Sequence, residues 1–270
     1  MIALHGWGMH GGLFEDLIAA SPGLDWRTID LPGHGTERGT PWPEPLADWV
    51  ADRIDAKVDT PADTPDEWAE GNSAFVLGWS LGGLLAMQAR LLRPERIRGL
   101  VLVAATPCFL RRPHWPDGVE PALLKAMAVD LMDQPEVVFN RFLALEIQGS
   151  DHPRDELRRL KKLAVRYGLP DASALTAGLR LLSEADLSDR LAEIDCPVLI
   201  LGGRRDRLVP WPALQALEQR LPNARLVRVP GAAHAPFLTN ARFVADRIQE
   251  FMDQQVVDQQ SGVQESFDAV

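Results

Sequence analysis

Gly78-Trp79-Ser80-Leu81-Gly82-Gly83 is the stretch on which the fold turns. Ahead of it runs Ala74-Phe75-Val76-Leu77, a short apolar run bounded by the polar pair Asn72-Ser73. Behind it, Leu84-Leu85-Ala86-Met87-Gln88-Ala89-Arg90-Leu91-Leu92 has helix-forming composition and stops before Pro94. A G-x-S-x-G thus stands between an expected buried strand and an expected helix, the setting of a nucleophile elbow. The turn leaves no room for side chains on either flank, so glycines stand at 78 and 82. Ser80 is left at the tip, facing the unpaired N–H groups at a helix N-terminus.

Outward from the elbow, the chain alternates. Ile2-Ala3-Leu4 reads as a strand running into His5-Gly6-Trp7-Gly8-Met9-His10-Gly11-Gly12, where four glycines in eight residues demand a tight or closely approached backbone. A short helix at 13–20 precedes the strand Trp26-Arg27-Thr28-Ile29, which ends in Asp30-Leu31-Pro32-Gly33-His34-Gly35. Residues 46–54 have helical spacing, and 59–66 read as a loop. Leu100-Val101-Leu102-Val103-Ala104 and Pro197-Val198-Leu199-Ile200-Leu201-Gly202-Gly203 are continuous apolar runs, as in parallel strands covered on both faces. A helix at 211–221, a strand at 224–229 and a helix at 240–252 follow. Between 107 and 185 no β-type run occurs, and amphipathic helices are expected at 121–132, 135–148, 154–167 and 172–182. The expected fold is α/β: a mostly parallel, doubly wound sheet in two core parts, 1–106 and 186–252, with an inserted helical cap at 107–185. From 253 to 270 the chain is Gln-, Asp- and Ser-rich without Lys or Arg, which predicts a disordered tail.

The 270 residues fit one large domain, and 46% apolar composition suffices for its core. A formal net charge of −10 argues against nucleic acid or an anionic membrane as main partner. Cys108 and Cys196 are expected at opposite ends of the sheet, as free buried thiols. No stretch approaches a membrane span, and the start lacks a signal-peptide pattern, so cytoplasmic placement is the expectation.

A serine hydroxyl needs a base. Of the six histidines, His5, His34 and His10 lie in early loops, and His114 and His152 in the cap. His234, in Pro230-Gly231-Ala232-Ala233-His234-Ala235-Pro236, follows the last expected strand and all the carboxylates of the late strands. That matches the order Ser, acid, His. Asp195 precedes the 197–203 strand and so lies at the wrong edge; Asp206 follows it at the right one and is the expected acid. The competing role for Asp206 is an ion pair with a neighbouring arginine. The expected oxyanion donors are the backbone amides of Leu81 and Trp7. No dinucleotide fingerprint and no metal-ligand spacing is present, so neither cofactor nor metal is expected.

Together these residues resemble the α/β-hydrolase superfamily and, within it, the pimeloyl-[acyl-carrier protein] methyl ester esterases of biotin synthesis. The likeness rests on His5-Gly6-Trp7-Gly8, Asp30-Leu31-Pro32-Gly33, the Trp79-Ser80 elbow, Pro94-Glu95-Arg96, Pro107-Cys108-Phe109, Arg141-Phe142-Leu143-Ala144-Leu145, Leu160-Lys161-Lys162 and Ala232-Ala233-His234-Ala235-Pro236-Phe237. It implies a monomeric serine carboxylesterase that cleaves the methyl ester of a pimeloyl chain borne on acyl carrier protein. It also implies an acyl channel lined by Phe142, Leu143, Ala144, Leu145 and Glu146 together with Trp7, Ser80, Leu81 and His234. Glu146 stands where the family commonly has glutamine. Family members usually carry a β-hairpin before the His-Gly-Trp-Gly strand, whereas this chain begins inside that strand. Either the start is assigned too late, or the sheet lacks two edge strands and Trp26-Arg27-Thr28-Ile29 becomes an exposed edge.

An acidic carrier needs a basic face on an acidic enzyme. Arg154, Arg158 and Lys162 recur at i, i+4 and i+8 among Arg159, Lys161 and Arg166, and Arg141 adds to them. The plain alternative for this run is a solvated helix face. Other functions consistent with the motifs are a general carboxylesterase, a C–C bond hydrolase of the same fold, and a non-catalytic ligand-binding receptor.

Overall fold

The computed structural model describes residues 1–60 and 72–267, with the backbone alone for 256–267. Its sheet has six strands: β1 (Ile2–Leu4), β2 (Arg27–Ile29), β3 (Ala74–Trp79), β4 (Ile97–Val103), β5 (Val198–Gly203) and β6 (Ala224–Val229). They lie in the order β2-β1-β3-β4-β5-β6 and every pairing is parallel. The helices between them are α1 (Glu15–Ala20), α2 (Leu46–Asp59), α3 (Leu81–Leu92), α8 (Trp211–Arg220) and α9 (Ala241–Phe267), and four more, α4 (Pro121–Asp133), α5 (Pro135–Glu146), α6 (Pro153–Ala164) and α7 (Ala172–Glu184), separate β4 from β5. The apolar runs become central strands because they can be covered on both faces: Leu100 to Val103 and Val198 to Leu201 are all buried.

The chain winds outward in one direction from β1 to β2, then crosses back to β3 and continues the other way. Loops leaving β1 and β3 therefore part at their carboxyl ends, and a crevice opens there. Trp7 follows β1 and Ser80 follows β3, so topology alone sets both at that crevice.

The insertion is closed at its base. Cys108 bridges Asp186 antiparallel, and the Leu187 N–H donates to the Pro107 carbonyl at 3.0 Å. Chain entering and leaving the four helices thus runs side by side. Both cysteines are free and buried.

One expectation changes. Residues 253–267 were expected to be disordered, but the backbone continues α9 to Phe267, while 268–270 lie outside the described residues. Low hydrophobicity removes the drive to pack, yet it does not stop a helix. Val244, Ile248 and Phe251 anchor α9 in the core, and the Gln-rich, proline-free continuation can propagate that nucleus. The expected loop at 59–66 falls mostly on 61–71, outside the described residues.

β2 is an edge of the described sheet. It is three residues long and carries Arg27, whose guanidinium donates to the Lys57 and Thr60 carbonyls at the end of α2. A short, charged edge is a poor template for further strand pairing. Among the described residues no helix is long and apolar enough to cross a membrane.

Candidate active site

Ser80 sits between β3 and α3 with φ 55° and ψ −117°, a left-handed backbone that a serine adopts only when its surroundings impose it. Those surroundings are visible. A Cβ at Gly78 would strike the Gly82 carbonyl, and one at Gly82 would strike the Leu4 carbonyl. The Ser80 N–H donates to the Val103 carbonyl at 3.0 Å, which ties the turn to β4.

Three of the expected site residues meet in a row. The Ser80 hydroxyl lies 2.9 Å from His234 Nε2, and His234 Nδ1 lies 2.8 Å from Asp206 Oδ2. His234 and Asp206 are buried and Ser80 is 6% exposed. A carboxylate beside Nδ1 accepts a hydrogen bond from the N–H there, so Nε2 is left as the acceptor facing the hydroxyl. Asp206 Oδ1 accepts the Leu208 and Val209 N–H groups at 2.8 and 3.0 Å. The neighbouring arginines do not claim this carboxylate: Arg205 pairs instead with Asp151.

The loop after β1 lies against the serine, since a Cβ at Gly6 would stand 3.2 Å from Ser80 Cβ. Leu81 opens α3, so its amide has no intrahelical acceptor. The Trp7 indole turns away into the cap, where Nε1 donates to the Leu175 carbonyl at 2.8 Å and the ring meets Phe142 edge-on at 4.7 Å. Its amide and its ring therefore serve different partners.

The other early histidines are structural. His5 Nε2 accepts the Leu31 N–H at 2.9 Å and Nδ1 meets the Gly6 carbonyl at 2.8 Å, which pins the loop before Trp7. Burial, reinforced by the nearby His34 ring, lowers His5 to about 3. Burial likewise lowers His34 to about 4. Both rings are neutral at ordinary pH.

The five residues expected to line one channel do not share a face. A helix turns about 100° per residue. Phe142, Leu143 and Glu146 are buried in the cap, whereas Ala144 is exposed and Leu145 half-buried. Ala144 and Leu145 line, with Arg141 and Pro153, a surface groove of about 470 Å³. Of the five, only Phe142, Leu143 and Glu146 face inward from α5, beside the buried Val138 and Phe139.

Glu146 is the least expected group. It is 1% exposed, and both carboxyl oxygens lack a hydrogen-bond partner among the described residues. Burial, and secondly the Asp206 carboxylate, push it well above its ordinary 4.5, so its neutral form is favoured beside the triad. Its raised value has a definite sign in stability. The unfolded chain releases this proton near 4.5 while the folded one keeps it, so stability is lost as pH rises from 4.5 toward the folded value. Glu146→Gln removes that loss. Its melting temperature relative to the unsubstituted chain is expected to climb as pH rises above 4.5 and to be level below it, measured by calorimetry across pH. A pH-independent difference would mean that Glu146 is ionised in the fold.

How the His234 loop is held is not legible in the linear order of residues. The His234 N–H donates to the Glu146 carbonyl at 3.0 Å, the Asp151 N–H to the Gly231 carbonyl at 3.0 Å, and the Trp79 indole to the His234 carbonyl at 2.8 Å. These partners are far apart in the chain, and no local pattern announces them. Of the expected basic face, Arg141, Arg154 and Arg158 are all exposed. Arg141 pairs with Asp130 at 3.6 Å and Arg158 with Asp155 at 2.7 Å.

Comparison with known proteins bears on this geometry. Residues 1–247 match the model of the alpha/beta hydrolase family. The pimeloyl-[acyl-carrier protein] methyl ester esterase of Xylella fastidiosa (strain M23) is 40% identical over 255 residues, 93% of this chain and 94% of that one. The protein of that name from Xanthomonas campestris pv. campestris (strain B100) is 40% identical over 253 residues, with the same coverage. Among solved structures, an esterase from Exiguobacterium antarcticum matches with a TM-score of 0.78 at 21% identity, over 93% of this chain and 91% of that chain. A bromoperoxidase from Bacillus anthracis matches with a TM-score of 0.78 at 16% identity and the same coverage. At such identities the solved structures speak for the fold alone.

Proposed function

The chain belongs to the alpha/beta hydrolase family and, within it, to the pimeloyl-[acyl-carrier protein] methyl ester esterases, and from that membership we propose that it hydrolyses the methyl ester of a pimeloyl chain carried on acyl carrier protein, as a cytoplasmic monomer serving biotin synthesis. The observation that carries the chemistry is the unbroken row Asp206–His234–Ser80, at 2.8 and 2.9 Å.

In this mechanism the Ser80 oxygen attacks the ester carbonyl while His234 Nε2 takes the hydroxyl proton. Asp206 stabilises the imidazolium that results and keeps its ring in register. Negative charge gathers on the former carbonyl oxygen and is met by the Trp7 and Leu81 amides, which are donors set in place before the reaction. As the tetrahedral centre collapses, His234 returns the proton to the methoxy oxygen and methanol leaves. Water, deprotonated by the same imidazole, then releases the acyl group as a free acid. Phe142 and Leu143 offer the acyl chain an apolar wall. Glu146, in its neutral form, adds no charge that would repel the carboxylate formed at Ser80.

Carrier docking is assigned to Arg141, Arg154 and Arg158 on the outer side of α5 and α6. All three are exposed, and the surface ion pairs of Arg141 and Arg158 with Asp130 and Asp155 can exchange for an acidic partner; such rim charges act mainly on encounter rate. The decisive test is incubation with pimeloyl-acyl carrier protein methyl ester, read by mass spectrometry as loss of one CH₂ from the carrier. An unchanged mass, with small esters still cleaved, would leave a general carboxylesterase. In the same assay Arg154→Glu with Arg158→Glu is expected to lower kcat/KM for the carrier-bound ester about tenfold and to spare a small ester. Equal loss on both substrates would count against a docking role.

A further inference from the structure

We infer that Trp79 is the positioning residue for His234: the side chain next to the nucleophile in sequence holds the main chain of the base. This rests on the reading of Ser80 and His234 as nucleophile and base. The geometry is direct. Trp79 closes β3 and is fully buried. Its indole N–H donates to the His234 carbonyl at 2.8 Å, and the two rings lie 5.6 Å apart at 50°. Phe237, three residues past the base, meets the same indole edge-on at 5.5 Å.

The opposite side of the base residue is also held. The His234 N–H donates to the Glu146 carbonyl at 3.0 Å. Both main-chain polar groups of His234 are thus bound, one by the end of β3 and one by the end of α5. That matters because residues 231–235 belong to no strand or helix, so no ladder fixes them. The indole also reaches the third part of the site. A Cβ at Gly6 would lie 2.8 Å from Trp79 Cε3, so the loop that presents the Trp7 amide rests on the same ring. One rigid side chain therefore touches the base loop and the oxyanion loop, while its own backbone leads into Ser80.

A buried carbonyl that loses its donor is costly, and a loop can move to recover one. A base displaced by a fraction of an ångström loses its alignment with the hydroxyl, and rate is steeply sensitive to that distance. Trp79→Phe removes the N–H and keeps an aromatic ring. With p-nitrophenyl acetate as probe, kcat is expected to fall about tenfold while KM changes little, and the apparent ionisation of His234 in the kcat/KM profile shifts. Phe75→Leu trims buried packing against Phe251 at the other end of β3 without touching the site; it is expected to lower the melting temperature and to leave kcat near its starting value.

If Trp79→Phe fails to fold, 3-benzothienylalanine at position 79 keeps the shape of the indole and replaces its N–H by sulfur. A folded protein lacking this N–H, with kcat and pH profile unchanged, overturns the positioning role. Ser80→Ala in the same assay separates the two failures. Retained turnover there removes the serine mechanism itself, whereas its loss alongside an unaffected Trp79 variant removes only the role given to the indole.

Discussion

Ser80→Ala is expected to lower kcat about a million-fold, with KM almost unmoved. The size follows from what the hydroxyl does. In the proposed mechanism it is the atom that forms the covalent bond, and no other nucleophile stands in the row with His234 and Asp206 among the described residues. The alanine variant keeps the apolar wall of Phe142 and Leu143 and the two amides after β1 and β3. It therefore still binds an ester and retains a small rate above the solution reaction, from oxyanion stabilisation and binding alone. Mutational collapse of the fold is not expected. Ser80 packs into a strained turn, and alanine is no larger. The measurement is single-turnover cleavage of an activated ester by protein of verified melting temperature, with the acyl-enzyme burst as second readout. A burst that survives in the variant would assign the nucleophile elsewhere.

Asp206→Asn is expected to lower kcat about ten-thousand-fold. Here the geometry dictates which way the amide must face. Asp206 Oδ1 accepts two backbone N–H groups, from Leu208 and Val209. An asparagine can satisfy both only by leaving its carbonyl oxygen on that side, which turns its NH₂ toward His234 Nδ1. The imidazole must then accept at Nδ1 and carry its proton on Nε2, where it meets the Ser80 hydroxyl as a donor and cannot take its proton. The fold and the distances survive while the tautomer is wrong. Activity should recover partly at high pH, where the hydroxyl needs less help. A near-normal rate at neutral pH would show that the acid is another residue, and Glu146, the carboxyl nearest this row that carries no hydrogen bond, would be the first to test.

Much of this was legible in one dimension because each signal is local. Glycines at 78 and 82 are demanded by atoms four residues or one strand away, so the elbow is written in six consecutive letters. Strand and helix alternation follows from residue periodicity, and the order Ser80, Asp206, His234 follows from counting strands. Even the choice of Asp206 over Asp195, which the 2.8 Å contact with His234 supports, needed only the direction of one strand. The misreadings have physical reasons as well. Residues 253–267 look too polar to pack, but polarity decides packing and not helix propagation from an anchored end. Phe142 to Glu146 form one sequence block, yet a helix divides any such block between two faces.

What the chain determined by itself is therefore the sheet, the elbow, and the candidates for nucleophile, base and acid. These depend on residue type and on rules of handedness that hold for any sequence. What only the folded molecule decided is how those groups are held and charged. Trp79 and His234 are 155 residues apart and still share a hydrogen bond. Glu146 favours its neutral form only because burial beside Asp206 raises its pKa. Hydrogen-bond partners and dielectric surroundings are properties of three-dimensional neighbours, and the linear order of residues does not contain them.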